Sequence, residues 1–230
     1  MARAGVRWWS KVFAAPAMST RIAPPTLAGI LRGMSTATGT LALYEQTGAY
    51  LRGHFRLTSG LHSGEYLQSA KVLAYPQHAE HLGRLLAEQI KPLFPGESVD
   101  FVIAPAMGGL IIGHEVARAL DVPFLFTERD AESGRMALRR GFEIKPDQRT
   151  VVIEDVITTG GSTREVIDLV HAGGARALAA GSIIDRSNGR ADVGVPRVAL
   201  EQLEVVTYNP ADCPLCRQGL PVSKPGSRKA

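Results

Sequence analysis

The pattern of apolar and polar positions alternates between two periods along most of the chain. From Pro76, PQHAEHLGRLLAEQIKPL sets Ala79, Leu82, Leu86, Ile90 and Leu93 on one stripe, which predicts a helix laid on a sheet with His78 and His81 on or near its polar face. VDFVIAPAMGGLIIGHEVARALDVPFLFTE follows as a strand over 99–104, a tight turn over 105–109, a helix over 110–120 and a strand over 123–127. TVVI, residues 150–153, reads as a buried strand, and REVIDLVHAGGA as an amphipathic helix stopped by Gly173 and Gly174. ARALAAGSIIDRSNGR adds a strand that ends in Asp185 and Arg186, and VPRVALEQLEVVTYNPADCPLC a late edge strand and turn. Upstream, TLALYEQTGAYLR carries Leu41, Tyr44, Ala49 and Leu51 in a helical pattern. GHFRLTSGLHSGEYLQSA alternates through His54, Phe55, Arg56 and Leu57, breaks at Thr58-Ser59-Gly60 and resumes over 65–70, as a hairpin or hood over one edge of the core would.

Strands separated by helices imply an α/β protein whose parallel strands are joined by right-handed crossovers, with ligands bound beyond the carboxyl ends of the strands. Residues 104–109 and 154–162 should then open on the same side. ERDAESGRMALRRGFEIK, residues 128–145, interrupts the rhythm with charges and a Ser133-Gly134 turn. It is either a solvated protrusion or a mobile lid whose Arg129, Arg135, Arg139 and Arg140 bring positive charge to an anionic leaving group.

Length and composition narrow this further. A chain of 230 residues suits one α/β domain with appendages. Residues 1–39 contain no acid and no sustained period, and read as a transit peptide, an N-terminal arm, or translated sequence upstream of a start at Met18 or Met34. A spurious or disordered extension is the favoured reading, leaving 40–230 as the globular domain. Arg3, Arg7, Lys11, Arg21 and Arg32 lie in that stretch, so the formal charge of +4 falls to 21 basic against 22 acidic residues without them, and a nucleic-acid surface is not indicated. No apolar run of about 20 residues marks a membrane span. Two cysteines occur, Cys213 and Cys216; they do not complete a four-ligand zinc site unless a His or a dimer mate joins in, and a reduced pair in a surface turn of a cytoplasmic protein is the plainer reading.

The candidate chemistry centres on TVVIEDVITTGGST, residues 150–163. A strand runs into Glu154 and Asp155, then through Val156 and Ile157 to the small and hydroxylated residues Thr158, Thr159, Gly160, Gly161 and Ser162. The loop lies at a helix N-terminus, where free backbone N–H groups and the helix dipole favour an anion, and small residues let the backbone wrap a phosphate. Two carboxylates beside that phosphate call for hydroxyl donors or a divalent cation, and a ribose 5-phosphate offers phosphate at one end and hydroxyls at the other. The loop lacks the Lys of a P-loop, and its acids precede the glycines instead of following them by some twenty residues as in a dinucleotide fingerprint. Gly108 and Gly109 offer a second close backbone approach, to a diphosphate or simply at the start of a helix.

Residues 150–162 resemble the phosphoribosyl-diphosphate (PRPP) signature of the type I phosphoribosyltransferases. With GHFRLTSGLHSGEYLQSAKVL, APAMGGLIIGHEVARAL, TERDAESGRMALRRGF, IDR and CPLCRQG in this order, the chain from about residue 40 to 228 is similar to the orotate phosphoribosyltransferase family. The resemblance implies a five-stranded, mostly parallel central sheet flanked by helices, a small hood over 53–70 and a flexible β-hairpin lid over 128–145. It implies transfer of ribose 5-phosphate from PRPP to orotate in pyrimidine (UMP) biosynthesis, by a cytoplasmic homodimer whose lid reaches the neighbouring site. Glu154, Asp155, Val156, Ile157, Thr158, Thr159, Gly160, Gly161 and Ser162 would hold PRPP together with Arg129. Thr158 and Arg186 would hold orotate, a planar guanidinium matching the carboxylate, and Tyr66 and Leu67 fall where ring-stacking residues lie. Glu154, Asp155 and Arg135 are the implied catalytic group, the acids as electrostatic supports, since orotate is already an anion. Mg²⁺ is the implied cofactor, bridged through PRPP with no direct protein ligand. The chain departs from better-known members at Thr58 and Gly108, where those carry Lys, and in a lid holding Asp130, Ser133 and Arg135, so that Arg135, Arg139 and Arg140 become candidates for neutralising diphosphate. Another purine or pyrimidine phosphoribosyltransferase, or a non-catalytic PRPP sensor of the same fold, is the alternative.

Overall fold

The computed structural model of the chain describes residues 39–57 and 59–225. The reading of residues 1–38 as an extension therefore falls outside the described residues, as does Thr58.

Strands β3 (Phe101–Pro105), β4 (Phe124–Arg129), β5 (Met136–Leu138), β6 (Arg149–Ile157), β7 (Arg176–Asp185) and β8 (Arg197–Gln202) form one sheet in the order β5-β4-β3-β6-β7-β8. Every pairing is parallel except that of β4 with β5, which is antiparallel. The expected five strands are thus joined by a sixth, because the charged segment after β4 folds back and lends Met136–Leu138 to the sheet edge.

Successive residues of β6 point to opposite faces, as a two-residue period requires. Val151 and Ile153 join the cluster built with Leu82, Leu86 and Ile90 of α3 (Pro76–Ile90) and Ile112 and Val116 of α4 (Gly109–Leu120). Val152 joins the opposite cluster with Val166, Ile167 and Val170 of α5 (Gly161–Ala172). A sheet buried on both faces explains why these strands read as continuous apolar runs.

The hood is a smaller antiparallel sheet, β1 (Tyr50–Arg56), β2 (His62–Leu67) and β9 (Thr207–Tyr208). The helical pattern read over 40–52 proves shorter: α1 spans Thr40–Gln46 and Tyr50 already belongs to β1. The turn between them is closed by hydrogen bonds, the Thr47 hydroxyl donating to the Leu43 carbonyl (2.8 Å) and the Ala49 N–H to the Tyr44 carbonyl (2.7 Å). Tyr44 and Ala49 are both fully buried, which kept the apolar spacing helical although the backbone had changed. A short helix α2 (Ser69–Leu73) returns the chain from the hood to α3. The cysteine pair opens α6 (Pro214–Arg217) and differs from the surface turn expected: Cys216 is exposed, but Cys213 is completely buried. No helix among the described residues is long and apolar enough to cross a membrane.

Candidate active site

Strand β6 runs on through both acids and ends only at Ile157, so Glu154 and Asp155 are strand residues rather than the first residues of a loop. Alternation then separates their surroundings. Asp155 lines a cavity of about 1390 Å³ beyond the carboxyl ends of the strands, while Glu154 is buried beside it. Burial, and then the adjacent charge of Asp155, push the Glu154 carboxyl well above its ordinary range. Asp155 Oδ1 accepts from the Val156 N–H at 2.9 Å.

Thr158 and Thr159 lie on the cavity wall, exposed, between β6 and α5. Gly160 closes this turn at φ +81°, and a β-carbon there would stand 2.8 Å from Val193 Cγ1. Gly161 begins α5, so its free N–H groups face the Thr158–Thr159 turn. Val156 lines the cavity, but Ile157 is 1% exposed and serves the core through its side chain.

The Ala106–Gly109 turn forms the facing wall, where Met107, Gly108 and Leu110 border the cavity. A β-carbon on Gly108 would collide with Asp155 Oδ1 and stand 2.8 Å from its Cγ. Any side chain at this position would have to move the Asp155 carboxylate from where it stands here.

Arg186 enters from the end of β7, its N–H bonded to the Ile157 carbonyl (2.8 Å). It lines the cavity, yet its Nε is buried without a hydrogen-bond partner. Burial pulls the guanidinium below its ordinary pKa, with Tyr66 and Glu65 opposing that. Tyr66 and Leu67 of the hood border the same space. Burial, followed by the Asp155 charge, raises the Tyr66 phenol.

The sequence reading assigned no role to the residue just before this arginine, whose carboxylate shapes the turn that follows it. Asp185 is fully buried; its Oδ1 accepts from the Ser187 N–H (2.7 Å) and hydroxyl (2.6 Å), and its Oδ2 from the Gly189 N–H (3.0 Å) and Arg197 Nη1 (2.7 Å). Burial would raise its pKa, but these four bonds outweigh that and hold it below the ordinary carboxylate value. Asp185-Arg186-Ser187-Asn188-Gly189, an Asp with Ser, Asn and Gly two to four residues on, is the sequence signal of such a turn.

The lid arginines are elsewhere. Arg129 bonds to the Gly134 carbonyl and pairs with Glu165 of α5 at 3.2 Å, and Arg140 makes a two-pronged pair with Glu128, both bonds at 2.8 Å. Arg135 and Arg139 are exposed and make no ion pair among the described residues. None of the four lines the cavity. The tip is ordered by Asp130, whose Oδ1 accepts from the Ser133 N–H (2.8 Å) and hydroxyl (3.0 Å). The structure thus joins Asp155, Thr158, Thr159 and Arg186 around one cavity with Glu154 beside it, and leaves Arg129 and Arg135 outside.

A phosphate-sized turn at a helix start, a strand acid facing it and a mostly parallel sheet are together the architecture of a phosphoribosyl-transferring enzyme, and the phosphoribosyl transferase domain matches residues 68–207. The orotate phosphoribosyltransferase of Pelotomaculum thermopropionicum is 54% identical over 189 residues, 82% of this chain and 96% of that protein. The one of Thermotoga maritima is 48% identical over 81% of this chain and 96% of its own. The chain belongs to the orotate phosphoribosyltransferase family. The crystal structure of orotate phosphoribosyltransferase from Aeropyrum pernix superposes with a TM-score of 0.58 at 26% identity, covering 70% of this chain and 92% of that one. Adenine phosphoribosyltransferase from Thermoanaerobacter pseudethanolicus has the same fold, with a TM-score of 0.51 at 17% identity over 60% of this chain and 88% of that one, so the fold by itself does not choose the base.

Proposed function

We propose that this protein transfers the ribose 5-phosphate of PRPP to orotate, giving orotidine 5'-phosphate and diphosphate, a step of pyrimidine biosynthesis. One observation carries the choice of acceptor: the buried, unpartnered Nε of Arg186 in the cavity. A buried donor without a partner costs about 1–3 kcal/mol, and a planar carboxylate on the acceptor ring repays that with two parallel bonds.

The remaining roles follow from position. The turn Thr158–Ser162 receives the 5-phosphate through its N–H groups and hydroxyls, with Val156 and Ile157 fixing the backbone that presents it. Asp155 holds ribose hydroxyls, Glu154 supports it from behind, and Thr158 also reaches the orotate ring. Tyr66 and Leu67 cover the ring from the hood. When bound, Mg²⁺ supplies Lewis acidity to the departing diphosphate. The site fits a cation held chiefly by substrate oxygens, since β6 presents only the Asp155 carboxylate to the cavity, far short of six oxygen ligands. Breaking the anomeric bond leaves positive charge on the ribose, which the two acids oppose, and negative charge on diphosphate, which arginines of the lid meet.

Arg135 is exposed and does not line its own cavity, and this favours a homodimer in which it and Arg129 act on the diphosphate of the neighbouring site. The cytoplasm is the proposed location.

The test is loss of orotate absorbance with PRPP and Mg²⁺, alongside calorimetric PRPP binding. Arg186→Ala should raise the KM for orotate at least tenfold, about 1.4 kcal/mol, while PRPP binding stays within twofold. An enzyme acting on a base without a carboxylate would turn over orotate no better before the substitution than after it, and a mere PRPP sensor would release no diphosphate.

A further inference from the structure

On the far side of the hood, four side chains that the transfer reaction does not use converge. His54 and His62 come from β1 and β2; Cys213 and Cys216 come from the chain beyond β9, Cys213 standing 159 positions after His54. Phe55 and His54 are consecutive and both buried, because the register of β1 against β2 shifts between Arg52 and Phe55, and a bulge of this kind re-aims a side chain. His54 is thereby turned toward the cysteines.

One ligand atom from each of the four lies within 4.8 Å of all the others. Cys213 Sγ is 3.5 Å from His54 Nε2, and Cys216 Sγ is 3.7 Å from that nitrogen and 3.4 Å from His62 Nδ1. The two ring nitrogens are 2.8 Å apart. Zinc with Zn–N of about 2.0–2.1 Å and Zn–S of about 2.3 Å at the centre of a tetrahedron separates N from S by roughly 3.6 Å and N from N by roughly 3.3 Å. The three N–S edges given above are already at about that length, and the N–N edge has to open by about half an ångström.

The surroundings are those of a ligand set. His54 Nδ1 lies 2.8 Å from the Leu220 carbonyl, which can only accept, so the proton sits on Nδ1 and the Nε2 lone pair faces the sulfurs. Cys213 is 0% exposed, His54 4% and His62 6%, while Cys216 alone is exposed and leaves a path of entry. Both cysteines are free thiols, not a disulfide. Two thiolates with two imidazoles select zinc over a hard cation such as Mg²⁺, and four protein ligands leave no open position for chemistry.

We propose that His54, His62, Cys213 and Cys216 bind one structural zinc ion that clasps the segment after β9 onto the hood. The clasp reinforces backbone bonds already at this seam, the Arg56 N–H to the Ser223 carbonyl and the Ser223 N–H to the His54 carbonyl, both 2.8 Å. It steadies from behind the hood strand whose Tyr66 and Leu67 border the cavity.

The test uses the full chain without a polyhistidine tag, purified under reducing conditions without chelator. Elemental analysis should find one zinc per chain, and cobalt(II) exchanged into the protein should show the visible absorption of a tetrahedral ion with thiolate-to-cobalt charge transfer. Cys216→Ser, at the exposed corner, should weaken zinc at least about tenfold in chelator competition and lower the melting temperature, whereas Asp155→Asn should keep its zinc. A protein isolated without zinc that takes up no tetrahedral cobalt overturns the proposal, as does zinc binding unchanged in Cys216→Ser. Should that variant fail to fold, the cobalt spectrum of the unaltered protein decides alone.

Discussion

Glu154 is an acid beside an acid, with no cation among its hydrogen-bond partners, and it is buried. Its folded pKa lies above the ordinary value of 4.5 that it regains on unfolding. Between those two values the folded protein binds the proton more tightly than the unfolded chain does. Its contribution to stability is therefore complete below the ordinary value and is lost as pH rises through the folded one. Thermal melts against pH should show Glu154→Gln gaining on the unaltered protein over that interval; parallel curves would mean that the carboxyl titrates normally. Gly108 gives a second prediction at this scale. Gly108→Ala drives a methyl into the Asp155 carboxylate, and kcat/KM for PRPP should fall at least tenfold, about 1.4 kcal/mol, in initial-rate assays. The acids and the small-residue turn after them were legible because strand, acids and loop are contiguous. The reason for Gly108 was not, since its constraint is a contact with Asp155 across the sheet, and of the four bonds to Asp185 the three from Ser187 and Gly189 are local while the fourth, from Arg197, forms only once β7 and β8 lie side by side.

The hairpin of β4 and β5, proposed as a lid, is docked against the rest of the molecule. Met136 is buried in the α5-side cluster, and its N–H donates to Glu165 Oε2 at 3.2 Å, the same carboxylate that pairs with Arg129. Both partners of that ion pair are more than a third exposed, so the pair itself is worth about 0.2–1 kcal/mol at most. Glu165→Ala should accordingly speed hydrogen exchange at the amides of residues 130–136 while shifting the melting temperature by no more than a few degrees. Unchanged exchange would show that the buried Met136 side chain alone holds the hairpin. The Ser133-Gly134 turn marked a reversal here, but the return of the chain into the main sheet depends on Thr127 facing Leu138, a register that no local pattern specifies. The β3–α4–β4 unit, by contrast, falls within two residues of its expected limits, because a strand, a glycine turn and a 3.6-residue stripe each announce themselves locally.

For the molecule as a whole, the placement of Arg135 outside its own cavity makes the proposed dimer testable by mixing. Arg135→Ala and Arg186→Ala, each impaired as a homodimer at low orotate, should recover about a quarter of full activity after refolding together, since half the dimers are mixed and each then holds one unaltered site. No recovery would place both arginines in one subunit's site. The sequence order also bears on how the molecule comes into being. β3, α4 and β4 are neighbours along the chain and can pack as soon as they are made, but the hood pairs Ser63 with Thr207 and bridges Phe55 to Ser223. A polypeptide still emerging from the ribosome thus has β3, β4 and the strand that carries the two acids well before it has a finished roof, and the last seam of the hood closes only when synthesis has passed residue 223.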